Sequence, residues 1–94
     1  MDAPGEVVKI MGLTEAELHR GLATLGRLEM DGAGVRLLAP QGEVGLTWRV
    51  LPSRRLGALR LPVLELRLDL AALTPAARAV FLRRFQTVFQ RGGG

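Results

Sequence analysis

The feature that most constrains the fold is a strict alternation in the last third of the sequence. Four leucines alternate with three charged residues over the segment 64–70, LELRLDL. A period of two places all the leucines on one face of a β-strand and all the charges on the other. In a helix, the same spacing would distribute the leucines around every side. The segment therefore predicts a strand with one buried face.

The same reasoning predicts three further strands. The segment 44–51, VGLTWRVL, alternates in the same way, and the turn residues Pro40-Gln41-Gly42 connect it to a short strand over 35–39. A cluster of turn residues at 31–34 precedes that short strand. The segment Glu6–Met11 is a candidate strand at the N-terminus. Residues Pro52–Arg55 are expected to form a loop between the last two strands.

Two segments carry the signals of amphipathic helices. In the segment 13–26, Thr14 and Glu17 form a capping box, and Leu18, Leu22 and Leu25 follow at helical spacing. Gly26 is expected to end this helix. The second helix begins at Thr74-Pro75, a capping residue followed by proline. Its apolar side contains Phe81, Phe85 and Phe89, and Arg78 lies off-pattern within that apolar arc, where it needs a partner or access to solvent.

This order of elements, β-α-β-β-β-α, predicts an α+β fold. Three consecutive strands with short connections form an antiparallel meander, and both helices can pack on its apolar face to give a two-layer sandwich. A chain of 94 residues has room for one core, so we expect a single domain over residues 1–94, with flexible ends at 1–5 and 92–94. The place of the N-terminal strand in the sheet stays open.

The composition argues against catalysis, metal binding and membrane insertion. There is no cysteine or tyrosine, and His19 and Ser53 are the only residues of their types. They lie on a helix and in a predicted loop, with no spacing that favours a Ser-His-acid arrangement or a converging set of metal ligands. No apolar stretch approaches the ~20 residues that span a bilayer. We therefore expect a non-enzymatic cytoplasmic protein without a cofactor.

Charge is distributed unevenly along the chain. The formal net charge is +4, and it divides into −3 over residues 1–47 and +7 over residues 48–94. Arginine supplies twelve of the thirteen basic residues. A candidate basic binding surface therefore lies in the C-terminal half, and it comprises Arg54, Arg55, Arg83, Arg84 and Arg91. The same arginines are also typical of the solvated side of an amphipathic helix.

Two hypotheses about function follow. The first is a small interaction module that binds a protein partner or a second copy of itself, because the two helices can cover only one face of the sheet. Leucines at 38, 51 and 56–61 then remain near the surface, where an apolar patch indicates an interface, unless they extend the core around the sheet edge. The alternative is a module that binds RNA or DNA through the basic C-terminal half. The sequence does not identify the partner or the oligomeric state.

Overall fold

The computed structural model describes residues 5–32 and 34–90. The elements, in chain order, are β1 (Glu6–Met11), α1 (Glu15–Ala23), β2 (Arg27–Asp31), β3 (Gly34–Ala39), β4 (Gly42–Leu56), β5 (Leu59–Asp69) and α2 (Pro75–Gln90). The five strands form one antiparallel sheet in the order β1-β5-β4-β3-β2. The predicted α+β class and the antiparallel meander are confirmed.

The core lies between the two helices and one face of the sheet. Leu64, Leu66 and Leu68 of β5 are fully buried. Leu18 and Leu22 of α1 and Phe81 and Phe85 of α2 pack in the same cluster. We call this side of the sheet the covered face and the opposite side the open face. Both helices therefore lie on one face, as the sequence pattern predicts.

Caps define where both helices begin. The Thr14 hydroxyl accepts a hydrogen bond from the Glu17 amide at 3.1 Å, and Glu17 accepts one from the Thr14 amide at 2.8 Å. The bonds that Thr14 donates to the Glu17 carboxylate stabilise its ionised form and lower the pKa of Glu17 from its ordinary 4.5. The bond from the Thr14 amide has the larger effect, and the bond from the Thr14 hydroxyl the next largest. At α2, the Thr74 hydroxyl accepts from the Ala77 amide at 3.1 Å.

Arg78 has the partners that its position on the apolar side requires. Its Nε donates to the carbonyl oxygens of Leu70 and Leu73, at 3.1 and 3.2 Å. Both carbonyls belong to the connection between β5 and α2, where the backbone leaves the sheet. The arginine therefore ties the start of α2 to the end of β5.

The prediction of three strands between the two helices was wrong, because β2 is a fourth. Its five residues, RLEMD, pair with β3 from Arg27↔Leu38 to Asp31↔Gly34. The helix before it ends at Ala23, three residues earlier than predicted. Gly26 has no left-handed φ. Its lack of a side chain instead allows the chain to pass close to the Leu38 carbonyl.

The N-terminal strand takes the edge of the sheet beside β5. The pairing runs from Glu6↔Asp69 to Met11↔Leu64. Gly5 accepts a hydrogen bond from the Leu70 amide at 2.8 Å, so the described part of the predicted flexible N-terminal segment is paired. The other residues of the two predicted flexible ends lie outside the described residues.

Candidate interaction surface

The β4–β5 hairpin extends well beyond the rest of the sheet. β1 pairs with β5 only as far as Leu64, and β3 pairs with β4 only as far as Leu46. Beyond Leu51 and Val63, the two long strands pair only with each other among the described residues. We call residues 52–61 the arm, and all ten are exposed. The predicted loop at Pro52–Arg55 was therefore wrong, because this segment is one strand of the arm.

The base and the tip of the arm have well-defined backbone features. At the base, the register shifts between Leu51 and Arg54, so that Pro52 and Ser53 stand opposite Pro62 alone. Prolines have no amide hydrogen to donate, and strands accommodate them at such bulges. At the tip, Gly57 has φ 60° while Ala58 has no positive φ, the pattern of a type II′ hairpin turn.

One face of the arm is apolar. Directly paired residues share a face of a sheet and alternate residues along a strand point to opposite faces. Val63 therefore lies on the open face, since Leu64 is buried on the covered face. The open-face pairs along the hairpin are Leu51↔Val63, Arg54↔Leu61 and Leu56↔Leu59. We call the five aliphatic members of these pairs the apolar stripe: Leu51, Leu56, Leu59, Leu61 and Val63.

The outer part of the apolar stripe is accessible to solvent. Leu56 is 57% exposed, Leu59 65% and Leu61 37%. On the neighbouring strand β1, Val8 and Ile10 also lie on the open face and are 44% and 58% exposed. Exposed aliphatic side chains grouped on one face of a small domain in this way are typical of an interface.

The other face of the arm is cationic. Arg55 pairs directly with Arg60 across the two strands. A third arginine, Arg54, is the first paired residue of β4 after the register shift, and it lies on the open face. Like charges placed directly opposite each other destabilise a strand pair. Residues 50–64 contain no acidic side chain, and none of the three arginines forms an ion pair with a described acidic residue. An anionic group from outside the chain would relieve this repulsion.

The charges on the rest of the open face neutralise one another instead. Arg49 and Arg67 both contact Glu65, at 3.2 and 3.4 Å. Arg36 lies 3.2 Å from Asp31 and 3.5 Å from Glu43. These ion pairs lie on the part of the open face away from the arm, whereas the apolar stripe runs along the arm with Arg54 beside it.

The predicted basic residues occupy two different elements. Arg54 and Arg55 lie on the arm, where they point to opposite faces, while Arg83 and Arg84 lie on the exposed side of α2. Arg91 lies outside the described residues. Sequence reasoning named the leucines at 56–61 as a surface patch but left Arg60 out of the basic surface. The segment 59–61, LRL, alternates in the opposite phase to 64–70, which is the signal that could have placed Arg60 on a strand.

The two residues considered for catalysis lie apart in the fold, since His19 belongs to α1 and the exposed Ser53 to the arm. His19 packs edge-on against Trp48, with 5.3 Å between ring centroids, and the Trp48 Nε1 donates to Glu15 at 2.7 Å. Within residues 5–32 and 34–90, no three histidine or acidic side chains are grouped to hold a metal ion. Neither described helix has the length and apolar character needed to cross a bilayer.

A groove of about 770 Å³ lies on the covered side, between β1 and the ends of the two helices. Lys9, Arg20 and Phe89 are among its lining residues. The one described acidic side chain in its lining, Glu17, accepts the capping hydrogen bonds of α1.

Comparison with known proteins adds no functional information: no protein-family model, curated protein or solved structure matches this chain.

Proposed function

We propose that this protein is a non-enzymatic interaction module that binds a protein partner or a second copy of itself through the arm. The observation that carries this proposal is the apolar stripe on a hairpin that extends beyond the sheet. Full burial of a leucine side chain contributes about 1.5–3 kcal/mol, and Leu56, Leu59 and Leu61 can gain the share that corresponds to their exposed 57%, 65% and 37%. Three leucines on one face of the arm can therefore supply a large part of a specific binding energy.

The position of the arm supports the same function. A two-stranded hairpin without further packing is at best marginally stable in water, and the described core does not include residues 52–61. The arm thus contributes little to the packing of its own domain. A partner that covers its apolar face would order it and bury the leucines together.

The test is a comparison of an arm variant with a matched control. The double variant Leu56→Thr/Leu59→Thr keeps residues that favour strands while it removes the exposed leucines. Val80→Thr removes an apolar side chain that is 41% exposed on α2 and serves as the control. Each protein is studied by sedimentation velocity over a wide concentration range, and is used as bait with cell extract. Each captured protein is then purified and titrated.

We expect the wild type and Val80→Thr to share a partner, or a concentration-dependent mass, that the arm variant loses. A partner set and a mass that are the same for all three proteins would contradict the proposal. Circular dichroism on each variant distinguishes loss of binding from loss of the fold.

The second candidate function is binding of RNA or DNA. The pairing of Arg55 with Arg60 favours it, because guanidinium groups suit phosphates and a two-stranded ribbon fits the major groove of DNA. This hypothesis predicts an affinity that falls steeply with salt concentration. Replacing one phosphate-binding arginine by glutamine should lower the slope of log K against log salt by about one. No binding to generic RNA or DNA at about 50 mM salt would exclude it.

A further inference from the structure

We infer that the partner of the arm is an extended protein segment in which apolar and acidic residues alternate. This inference rests on the proposed function and names the chemistry of the partner. The arm itself alternates, since Leu59 and Leu61 point to the open face and Arg60 between them points to the other. A strand added beside it would have its own side chains on the same two faces.

The positive charges of the arm favour an acidic partner. Arg55 and Arg60 lie opposite each other with no described acidic neighbour, so the face they share has a charge of +2. Acidic side chains on the same face of an added strand would lie beside these arginines. An acidic side chain directly opposite one of these arginines would form an attractive cross-strand pair, which offsets the repulsion between Arg55 and Arg60.

The unpaired backbone edges of the arm favour a partner in an extended conformation. Among the described residues, β4 has no neighbour on its outer edge beyond Leu46, and β5 has none beyond Leu64. The amide and carbonyl groups along these edges can pair with a third strand, which is how sheet edges recognise extended peptides. Alternate apolar residues of that strand would then extend the apolar stripe.

A second copy of this chain is a poorer match. Every acidic side chain among the described residues already has a polar partner, in an ion pair, a capping contact or a hydrogen bond. If two arms packed through their apolar stripes, Arg54 of each copy would lie within the contact. The second copy would thus bring further positive charge to the arm.

Nucleic acid also matches only part of the surface. Phosphates would satisfy the arginines, but they offer nothing that covers a stripe of five aliphatic side chains. The arm has no aromatic residue, whereas proteins that bind single-stranded nucleic acid stack bases on aromatic side chains. An acidic, apolar strand satisfies both faces of the arm at once.

The test uses the full chain and two labelled peptides in fluorescence anisotropy titrations. One nine-residue peptide alternates glutamate with leucine between terminal threonines, and the other has lysine in place of each glutamate. Each is titrated with the wild type, with Arg55→Glu/Arg60→Glu, and with Leu59→Thr/Leu61→Thr. We expect the wild type to bind the glutamate peptide about tenfold more tightly than the lysine peptide, and the charge-reversed variant to show the opposite order.

Each outcome bears on a different claim. If Leu59→Thr/Leu61→Thr binds both peptides as the wild type does, the arm is not the binding element and the proposed function is wrong as well. If that variant loses binding while the two peptides bind the wild type equally, the arm binds but the acidic partner is wrong. The acidic peptide partner would also be wrong if a DNA duplex or anionic phospholipid vesicles bound more tightly than the glutamate peptide in an arginine-dependent way. A concentration-dependent dimer that the leucine variant loses would likewise contradict it.

Discussion

Replacing Gly26 by alanine should destabilise the protein through a backbone contact between β2 and β3. A Cβ atom at this position would lie 2.4 Å from the Leu38 carbonyl oxygen and 2.9 Å from the Ala39 Cα. Real Cβ atoms essentially never come closer than 3.0 Å to another heavy atom, so the backbone at residue 26 and the backbone of β3 must move apart by about 0.6 Å. Both contacts are to backbone, which cannot rotate away as a side chain can.

The expected loss of unfolding free energy is about 2 kcal/mol. Overpacking of this kind costs ~1–3 kcal/mol, and we expect the upper part of that range because the strand pair Arg27↔Leu38 follows directly. Alanine also lowers the conformational entropy of the unfolded chain, which stabilises the folded state by ~0.4–1 kcal/mol and partly offsets this loss. For a domain of this size, the net effect lowers the melting temperature by about 8–16 °C.

The measurement is thermal and urea unfolding, with Gly32→Ala as the control. Gly32 lies in the turn after β2, and a Cβ there would meet nothing within 4 Å. The control should be unchanged or more stable by up to ~1 kcal/mol. Equal melting temperatures for the two variants would refute the idea that Gly26 is required for the close approach.

Three further predictions concern the helices and the arm. Arg78→Leu should lower the unfolding free energy by ~1–3 kcal/mol in urea titrations, because the part-buried Leu73 carbonyl loses the guanidinium donor and the Leu70 carbonyl keeps only the Leu73 amide. Arg83→Leu on the exposed side of α2 should stay within ~0.5 kcal/mol of the wild type. The lowered pKa of Glu17 means that its capping contribution is present above pH 4.5 and lost as the pH falls through its folded-state pKa. Glu17→Gln should therefore show a smaller fall in melting temperature than the wild type in a pH series below 4.5, and an identical fall would contradict this. Gly57→Val should speed amide exchange at the tip of the arm, since valine disfavours φ 60°, with the global melting temperature unchanged.

Periodicity and capping signals were sufficient to predict the core and the helices. The alternating leucines of 64–70 and Phe81 and Phe85 of α2 are buried where the patterns place them, and Phe89 is partly buried against the same core. These signals are local and strong, because each repeats over several turns or several strand positions. The missed strand β2 has only Leu28 and Met30 in alternation between two turn signals, and Met30 is 65% exposed. A segment with so weak a pattern becomes a strand because it pairs with β3, and the sequence alone does not show which segments pair.

The candidate surface depends on a feature that periodicity cannot reveal. The arginines and leucines of the arm are visible in the sequence, but their pairing depends on the register shift at Pro52 and Ser53. With an uninterrupted register, Arg54 rather than Arg55 would stand opposite Arg60. One extra residue in β4 thus decides which arginine lies on which face. Proline and serine in that segment favour a loop in any local analysis.

The pairing of β1 with β5 has a consequence for how the chain folds during synthesis. Its partners are separated by 53 to 63 residues in sequence. Because translation adds ~5–20 residues per second, β1 remains without its partner strand for several seconds after it leaves the ribosome. Its exposed Val8 and Ile10 then lie on an unpaired segment, which is the kind of nascent chain that chaperones bind. Formation of the β3–β4–β5 meander, whose contacts are local, should precede the docking of β1, which is therefore the last strand to join the sheet.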